Sequence, residues 1–383
     1  MTAMPPDGPR ALPSLSRLET PLVLHVFPSF AVGGAQVRFA ALANRFKARW
    51  RHAVISLDGE EACGERIGQD VPMAVIPSPP DDLRLARRVW RIHRTLQELR
   101  PDVLVTSNWG SIEWAIANQL PPSLRHLHME DGFGPEEAVT QLRRRVVARQ
   151  WALRGSTVLL PSQRLLRLAR EEWRLSPASL RYVPNGVDLS RFRPEGQTTC
   201  LEVPGQGPLI GTVAALRPEK ALDRLLHAAA ILMREGIAFR LAVVGDGPER
   251  RRLEQLAGEL DLGGRVRFTG AMADPAPAYR AFDLFALSSS TEQMPFSVLE
   301  AMASRLPVAS TDVGDVRCML APENLPHLAA MDPAALAAAL RPLLAHTALR
   351  ETLGAANRRR AEQEFNEETM FQAYAALIDG TPM

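Results

Sequence analysis

Two acidic side chains, Glu292 and Glu300, lie in the stretch of this sequence that is best suited to chemistry. An apolar run over residues 284–287 predicts a buried parallel strand, and the serines after it predict a loop. Pro295 then predicts the start of a helix, because proline favours the first helical turn. One acid therefore lies in the loop and the other in the second turn of the helix.

The start of this predicted helix is suited to an anion. Free N–H groups are expected at Phe296, Ser297 and Val298, and ligands of open α/β sheets bind where parallel strands end. Phosphates would meet these amides, while Glu292 and Glu300 would accept hydrogen bonds from sugar hydroxyls. The stretch therefore suits a nucleotide-sugar, although on its own it also fits a surface loop followed by a solvated helix.

Two cations follow the strand that starts at Leu209. Arg217 and Lys220 lie in the loop after it, where they can neutralise a diphosphate. Only two of the 45 basic residues are lysines, the other being Lys47. Lysine and arginine are not interchangeable at tight sites, so Lys220 is a candidate catalytic residue. Gly245 and Met272 lie in the loops after two further strands and are candidate substrate-binding residues.

The N-terminal half offers a second group of candidates at predicted strand ends. Gly33 and Gly34 precede the first helix, where paired glycines allow close approach of a phosphate, although a plain tight turn also explains them. Asn108 follows a later strand. His128 follows another, beside two acids, and is either a catalytic candidate or a structural histidine.

A basic helix is predicted over residues 141–151. Its apolar residues lie near one side and its arginines, including Arg149, largely on the others. Such a helix can lie on an anionic membrane or can simply cover the sheet with a solvated face.

Composition limits the class of protein. With 383 residues, 46% of them hydrophobic, the chain is expected to form two domains. Residues 1–190 carry 25 basic and 19 acidic side chains, and the net charge of the whole is only +2, which is too mild for a nucleic-acid binder. Three distant cysteines indicate a reducing cytoplasm, and no apolar run approaches the roughly 18 residues of a membrane span.

The element pattern divides the chain into ranges. Residues 1–20 predict a flexible tail, 21–192 a Rossmann-like domain, 193–208 a Pro/Gly-rich linker, 209–365 a second Rossmann-like domain, and 366–383 a final helix. Neither domain has a G-x-G-x-x-G after its first strand, which disfavours a nicotinamide or flavin enzyme.

With these pieces in order, the sequence resembles a family 4 glycosyltransferase of the GT-B fold over about residues 22–378. The motifs that carry the resemblance are GGAQ at 33–36, VPNGVD at 183–188, RPEK at 217–220, VVGDGPE at 243–249 and EQMPFSVLEAMA at 292–303. It implies two Rossmann-like domains facing across a cleft, with the final helix returning to the N-terminal domain.

The resemblance also implies roles. Glu292 matches the acid near the donor sugar, Glu300 the acid on the ribose, and Arg217 and Lys220 the cations on the diphosphate. The Gly33-Gly34 pair matches the loop that closes over phosphates and acceptor, and His128 the histidine that reaches the donor sugar. Such enzymes retain the anomeric configuration and need no metal and no cofactor, since the nucleotide-sugar is a co-substrate.

This sequence departs from the family pattern at three places. Gln293 replaces the usual glycine after the first acid, GGAQ replaces Gly-Gly-Ala-Glu, and Val313-Gly314-Asp315 replaces a Gly-Gly pair and a glutamate. The identity of the donor therefore stays open.

The leading hypothesis is a cytoplasmic retaining transferase in bacterial surface polysaccharide synthesis. It would use a UDP- or GDP-sugar, a saccharide or lipid-linked acceptor, and a peripheral contact with the inner membrane. The alternatives are a nucleotide-sugar epimerase of the same fold and a catalytically silent nucleotide-sugar-binding subunit.

Overall fold

A computed structural model describes residues 20–79, 84–133, 137 and 140–381. The chain divides into two units, unit 1 with residues 1–183 and 373–383 and unit 2 with residues 184–372. The tail predicted over residues 1–20 lies outside the described residues, except for Thr20.

Unit 1 is built on a parallel sheet. Its strands are β1 Leu22–Phe27, β2 Arg51–Ser56, β3 Met73–Val75, β4 Val103–Ser107, β5 Arg125–Met129, β6 Thr157–Leu160 and β7 Leu180–Tyr182. They lie in the spatial order β3-β2-β1-β4-β5-β6-β7, so the order reverses beside β1. Ligands of open α/β sheets bind at such a reversal, at the carboxyl ends of the strands.

Helices follow most of these strands. They are α1 Gly34–Phe46, α2 Leu85–Leu99, α3 Ile112–Ala117, α4 Arg143–Ala152 and α5 Gln163–Glu171. Helix α2 shows the usual amphipathic pattern, since Ile92 and Leu96 are buried while Trp90 is 59% exposed. Helix α4 confirms the helix predicted over 141–151, with a start at Arg143.

The chain re-enters unit 1 through its last helix, α13 Glu367–Asp379. The Trp50 indole N–H donates to Asp379 Oδ1 at 2.8 Å, and the Arg125 guanidinium donates to the Ile378 carbonyl oxygen. Tyr374 is buried, and the Arg38 guanidinium lies 5.4 Å from the centre of its ring. Residues from 373 onward therefore contribute to the core of unit 1.

Unit 2 repeats the architecture. Its strands are β8 Leu209–Val213, β9 Arg240–Val244, β10 Val266–Gly270, β11 Leu284–Leu287, β12 Val308–Thr311 and β13 Leu328–Ala329. All pair in parallel, in the order β10-β9-β8-β11-β12-β13, so the reversal lies beside β8. The helices are α6 Leu222–Arg234, α7 Arg250–Glu259, α8 Ala276–Tyr279, α9 Phe296–Ala303, α10 Val316–Met319, α11 Pro333–Ala345 and α12 Thr347–Glu364.

The boundary between the units differs from the predicted linker over residues 193–208. It falls between Val183 and Pro184, and the predicted linker lies wholly inside unit 2. The reason is apolar burial, because Leu201 and Val203 belong to the core of that unit. The Arg280 guanidinium also binds the Gln197 carbonyl oxygen at 2.6 Å. The prolines and glycines of this segment therefore belong to a loop without helix or strand that packs on unit 2.

Candidate functional site

In unit 2, the predicted anion site is the amino end of α9. Pro295 is extended at the helix start, and no side chain caps the helix. The Val298 N–H donates to the Pro295 carbonyl oxygen at 3.2 Å, so it is partly satisfied. The N–H groups of Phe296 and Ser297 precede it, in the first turn, where a helix has no internal acceptors to offer. Of the three predicted amides, these two are the better donors for a phosphate.

Lys220 and Glu292 form an ion pair in the same unit. Lys220 Nζ lies 2.6 Å from Glu292 Oε1, and the Ser289 hydroxyl donates to the same oxygen at 2.7 Å. The Glu292 side chain is 10% exposed and that of Lys220 is 25% exposed. The ammonium can donate two further hydrogen bonds, so it can serve a ligand while it holds the carboxylate.

The loops after β8 and β11 are tied together by their backbones and hydroxyls. The Ser288 hydroxyl donates to the Lys220 carbonyl oxygen at 3.0 Å, and the Ser290 N–H donates to the Glu219 carbonyl oxygen at 2.8 Å. Arg224 on α6 donates to the Ser290 hydroxyl at 3.1 Å. These bonds fix the loop of Lys220 against the loop of Glu292, which explains why the serine run follows β11.

A third loop, which follows β12, contacts the backbone of Glu292 and Gln293. Gly314 has a φ of +57°, and a Cβ there would overlap the Glu292 carbonyl oxygen. The Asp315 N–H donates to the Gln293 carbonyl oxygen at 2.8 Å. Only glycine allows so close an approach in the left-handed region. The Val-Gly-Asp sequence that departs from the family pattern therefore supports the loop of the first acid.

Gly245 takes part in a backbone contact within unit 2. Its φ is +139°, and a Cβ would overlap the Ala214 carbonyl oxygen. The backbone carbonyl oxygen of the next residue, Asp246, accepts a hydrogen bond from the Leu216 N–H at 2.9 Å. This turn therefore packs on the loop that carries Arg217. The predicted contact of Gly245 with substrate stays a prediction.

Arg217 and Met272 have different surroundings. Arg217 is exposed, and no carboxylate lies within ion-pair distance of it in the described part of the chain. It can therefore turn toward a ligand. Met272, in the loop after β10, is partly buried and packs on the apolar core of unit 2.

Glu300 is held by a tyrosine that sequence reasoning missed. The Tyr279 hydroxyl lies 2.7 Å from Glu300 Oε2 and 3.2 Å from the Ser297 carbonyl oxygen. Burial raises the pKa of Glu300, and the hydrogen bond from Tyr279 opposes that rise. Burial also raises the pKa of Tyr279 well above its usual range, so the hydroxyl keeps its proton and can donate it. One carboxylate oxygen is thus occupied, and the other can accept from a ligand.

In unit 1, the Gly33-Gly34 pair starts α1. Gly33 is extended and Gly34 is the first helical residue, with no side-chain cap. One turn later, Arg38 binds both carboxylate oxygens of Asp131, at 2.7 and 2.8 Å. The Asn108 side-chain oxygen accepts from the Asp131 N–H at 2.7 Å. The structure therefore joins the glycine pair, Asn108 and the end of β5 into one polar edge.

His128 lies near the end of β5, and its side chain is fully buried in unit 1. Its Nδ1 lies 2.8 Å from the Thr106 hydroxyl, and its Nε2 lies 3.7 Å from Glu130 Oε2. Thr106 is its register partner on β4, so both side chains point to the same face of the sheet. The predicted contact between His128 and a donor sugar stays a prediction.

Arg149 is a correction to the helix predicted over residues 141–151. The sequence predicts a solvated arginine there, but the Arg149 side chain is fully buried. Its guanidinium lies 3.3 Å from Glu130 Oε2 and 3.2 Å from Glu137 Oε2. The ring centres of Trp109 and Trp173 lie 5.0 and 4.9 Å from it. A charge buried this deeply requires such partners, and they come from distant parts of the sequence.

Comparison with known proteins gives the family. The model "Glycosyltransferase Family 4" matches residues 32–191, and the model "Glycosyl transferases group 1" matches residues 207–346. Together they cover more than three quarters of the chain; the first match includes β2 to β7, and the second includes β8 to β13. The chain belongs to glycosyltransferase family 4.

Curated members of family 4 align with parts of the chain. The lipopolysaccharide core biosynthesis glycosyltransferase LpsE of Rhizobium meliloti is 32% identical over 183 residues, which is 48% of this chain and 53% of LpsE. A GDP-mannose-dependent alpha-mannosyltransferase of Mycobacterium tuberculosis is 37% identical over 144 residues, 36% of this chain and 35% of that protein. The chain thus spans about half or less of the curated relatives it matches.

The fold matches that of a solved structure. Anabaena HepE in complex with UDP superposes with a TM-score of 0.76 at 21% identity, covering 94% of this chain and 100% of HepE. This likeness confirms the GT-B class predicted from the sequence, with parallel sheets in both units.

The described residues contain neither a cluster of three metal-ligating side chains nor a helix long and apolar enough to cross a membrane.

Proposed function

We propose that this family 4 protein is a retaining, metal-independent glycosyltransferase that moves a sugar from a UDP- or GDP-sugar to a hydroxyl group. The acceptor is a saccharide or a lipid-linked saccharide, in the synthesis of a bacterial surface polysaccharide. The observation that carries the proposal is the Lys220–Glu292 pair beside the uncapped start of α9, all in unit 2. The role of LpsE in lipopolysaccharide core biosynthesis and the UDP bound by HepE support the proposal.

The diphosphate would bind to the amides of Phe296 and Ser297, to Lys220 and to Arg217. As the bond between sugar and phosphate breaks, negative charge grows on the diphosphate, and preorganised donors stabilise it most at that moment. These protein cations supply the charge that a metal ion supplies elsewhere, so no metal and no cofactor enter the proposal.

Two acids would hold the rest of the donor. Glu300 would accept from the ribose hydroxyls through the carboxylate oxygen that Tyr279 leaves unused. Glu292 would lie near the donor sugar, where its pairing with Lys220 keeps it beside the phosphate that departs.

The test is a donor and acceptor screen. UDP- and GDP-sugars are incubated with and without candidate saccharides, and release of nucleoside diphosphate is measured. We expect slow release from one donor alone, faster release with an acceptor, and a product whose anomeric configuration matches the donor. Conversion of the donor sugar without release would favour an epimerase. Tight donor binding without either reaction would favour a silent binding subunit.

We further propose a cytoplasmic protein with peripheral membrane contact through α4. Val147 and Trp151 are 62% and 49% exposed on this helix, and Arg143 and Arg144 are exposed beside them. Aromatic and basic side chains together suit the surface of an anionic bilayer.

Replacing Arg143 and Arg144 by glutamine should weaken binding to anionic vesicles by about 1 kcal/mol per charge. The matched control replaces Arg167 and Arg170 on α5, which are equally exposed. Co-sedimentation of the α4 variant equal to that of the parent would refute the contact.

A further inference from the structure

A cavity of about 640 Å³ opens at the other end of the unit 1 sheet, where β6 and β7 begin. The ligand-binding edge of such a sheet is the opposite one, at the carboxyl ends of the strands. The polar side chains that line the cavity are Gln150, whose amide donates to the Glu172 carbonyl oxygen at 3.0 Å, and Arg154, Arg174, Ser156, Thr157, Ser176 and Ser179. The cavity therefore combines two cations with four hydroxyl groups.

The two arginines are not neutralised by the protein. Both are exposed, and within residues 20–79, 84–133, 137 and 140–381 neither has a carboxylate at ion-pair distance. Arg149, five residues before Arg154, shows the contrast, since two glutamates bind it. The guanidinium groups of Arg154 and Arg174 are therefore available to an anion.

The hydroxyl groups of Thr157 and Ser176 complete a donor set for a tetrahedral anion. Guanidinium groups bind phosphate oxygens in pairs, and serine and threonine hydroxyls donate singly to the remaining oxygens. The Ser179 hydroxyl donates to the Ser176 carbonyl oxygen at 2.8 Å, which braces the rim of the cavity. The volume exceeds that of one phosphate, so a small phosphate ester fits.

The cavity wall is connected to the interior of unit 1 by hydrogen bonds. The Ser156 hydroxyl lies 2.7 Å from His126 Nδ1, and His126 Nε2 lies 2.7 Å from the Thr106 hydroxyl, which also contacts His128. Burial lowers the pKa of His126 to about 3, so this ring is neutral and one of its nitrogens is a pure acceptor. Trp173, also in the wall, lies against Arg149.

We propose that this cavity is a second ligand site, which binds a phosphate ester through Arg154 and Arg174. The site is separate from the donor-binding residues of unit 2, and the inference does not depend on the proposed transferase activity. The ester is either a free phosphorylated small molecule or the headgroup of an anionic phospholipid, since both present the same group.

The test uses sn-glycerol 3-phosphate with the full chain. Amide hydrogen exchange reports locally, so phosphates bound elsewhere do not confuse it. We expect exchange in peptides covering residues 153–157 and 173–179 to slow on saturation. The double variant Arg154→Gln with Arg174→Gln should raise the dissociation constant by about tenfold or more. The control Arg167→Gln with Arg170→Gln should change it by less than about twofold.

A second arm separates the two sources. Vesicles of phosphatidylglycerol and phosphatidylcholine are compared with the soluble ester. Protection of the same peptides by vesicles alone, lost in the Arg154/Arg174 variant, assigns the site to a lipid headgroup. Protection by the soluble ester assigns it to a free metabolite. If neither probe slows exchange in these peptides, the proposal is overturned. An equal loss of binding in the α5 control also overturns it, because that result would indicate only general attraction to a basic surface.

Discussion

Removing either member of the Lys220–Glu292 pair should destabilise the protein. At 2.6 Å and an effective dielectric constant of 20, two unit charges attract by about 6 kcal/mol. Desolvation of the two groups cancels most of this, because Glu292 is only 10% exposed. Lys220→Ala leaves the carboxylate with the Ser289 hydroxyl as its remaining donor. We therefore expect a loss of about 1–2 kcal/mol in the free energy of unfolding.

A double-mutant cycle isolates the pair. Glu292→Gln keeps the shape of the side chain and its bond from Ser289, but leaves the lysine charge unpaired. The double variant should lose about 1 kcal/mol less than the sum of the two single losses. Urea unfolding at neutral pH measures all four proteins. Losses that add within about 0.3 kcal/mol would show that the two side chains do not interact in solution.

The same variants test catalysis. Lys220→Ala should lower the turnover number by roughly 10²–10³, about 3–4 kcal/mol, with a smaller effect on donor affinity. Lys220→Arg should also be slow, because a planar guanidinium does not replace a compact ammonium that contacts Glu292 at 2.6 Å. Turnover of Lys220→Ala within about threefold of the parent would remove Lys220 from the proposed site.

Three further changes have defined outcomes. Tyr279→Phe removes the hydroxyl that donates to Glu300, and that hydrogen bond holds the pKa of the carboxyl down. The pKa of Glu300 should therefore rise further in the variant, and calorimetry should show a nucleoside diphosphate affinity weaker by about 1 kcal/mol, with a larger loss at pH 6 than at pH 8. A loss of the same size at both pH values would contradict this. Gly245→Ala should cost about 2–4 kcal/mol of unfolding free energy, since the new Cβ would overlap the Ala214 carbonyl oxygen. In the control Gly258→Ala, in α7, the new Cβ would meet open space, so this variant should be neutral or stabilising. Burial and then a neighbouring aspartate raise the pKa of Glu367 from 4.5 to about 7, so the free energy of unfolding should fall as pH rises from 4.5 to 7. Glu367→Gln should remove about 1–2 kcal/mol of that fall, as measured by urea unfolding at pH 5 and pH 8. A variant with the same dependence on pH as the parent would refute this.

The strand and helix around Glu292 could be predicted because their signals are local. A buried parallel strand is a continuous apolar run, as at Leu284–Leu287, and proline marks the first turn before α9. Two such patterns in series predict two parallel sheets. For Lys220 and Glu292, the sequence predicts only that both lie at the same edge of the sheet. Their contact could not be predicted, because the two residues are 72 positions apart and their distance depends on the order of the strands.

Some surroundings could not be predicted, because they depend on partners from elsewhere in the chain. The sequence places His128 near a strand end, but the face to which its ring points is set by its register with Thr106. An arginine on a helix is ordinarily solvated, and only the fold brings Glu130 and Glu137 to Arg149. The role of Tyr279 has no local signal, because nothing in its sequence neighbourhood indicates a carboxylate 21 residues further along.

The return of the chain to unit 1 at residue 373 has a consequence for synthesis on the ribosome. Residues up to 183 emerge first and can pair their strands early, yet the indole of Trp50 and the guanidinium of Arg125 acquire their partners from residues 378 and 379. All of unit 2 is made in the interval. The first domain to be translated is therefore the last to be completed, and until α13 is released its core lacks the buried side chains of Tyr374 and Ile378.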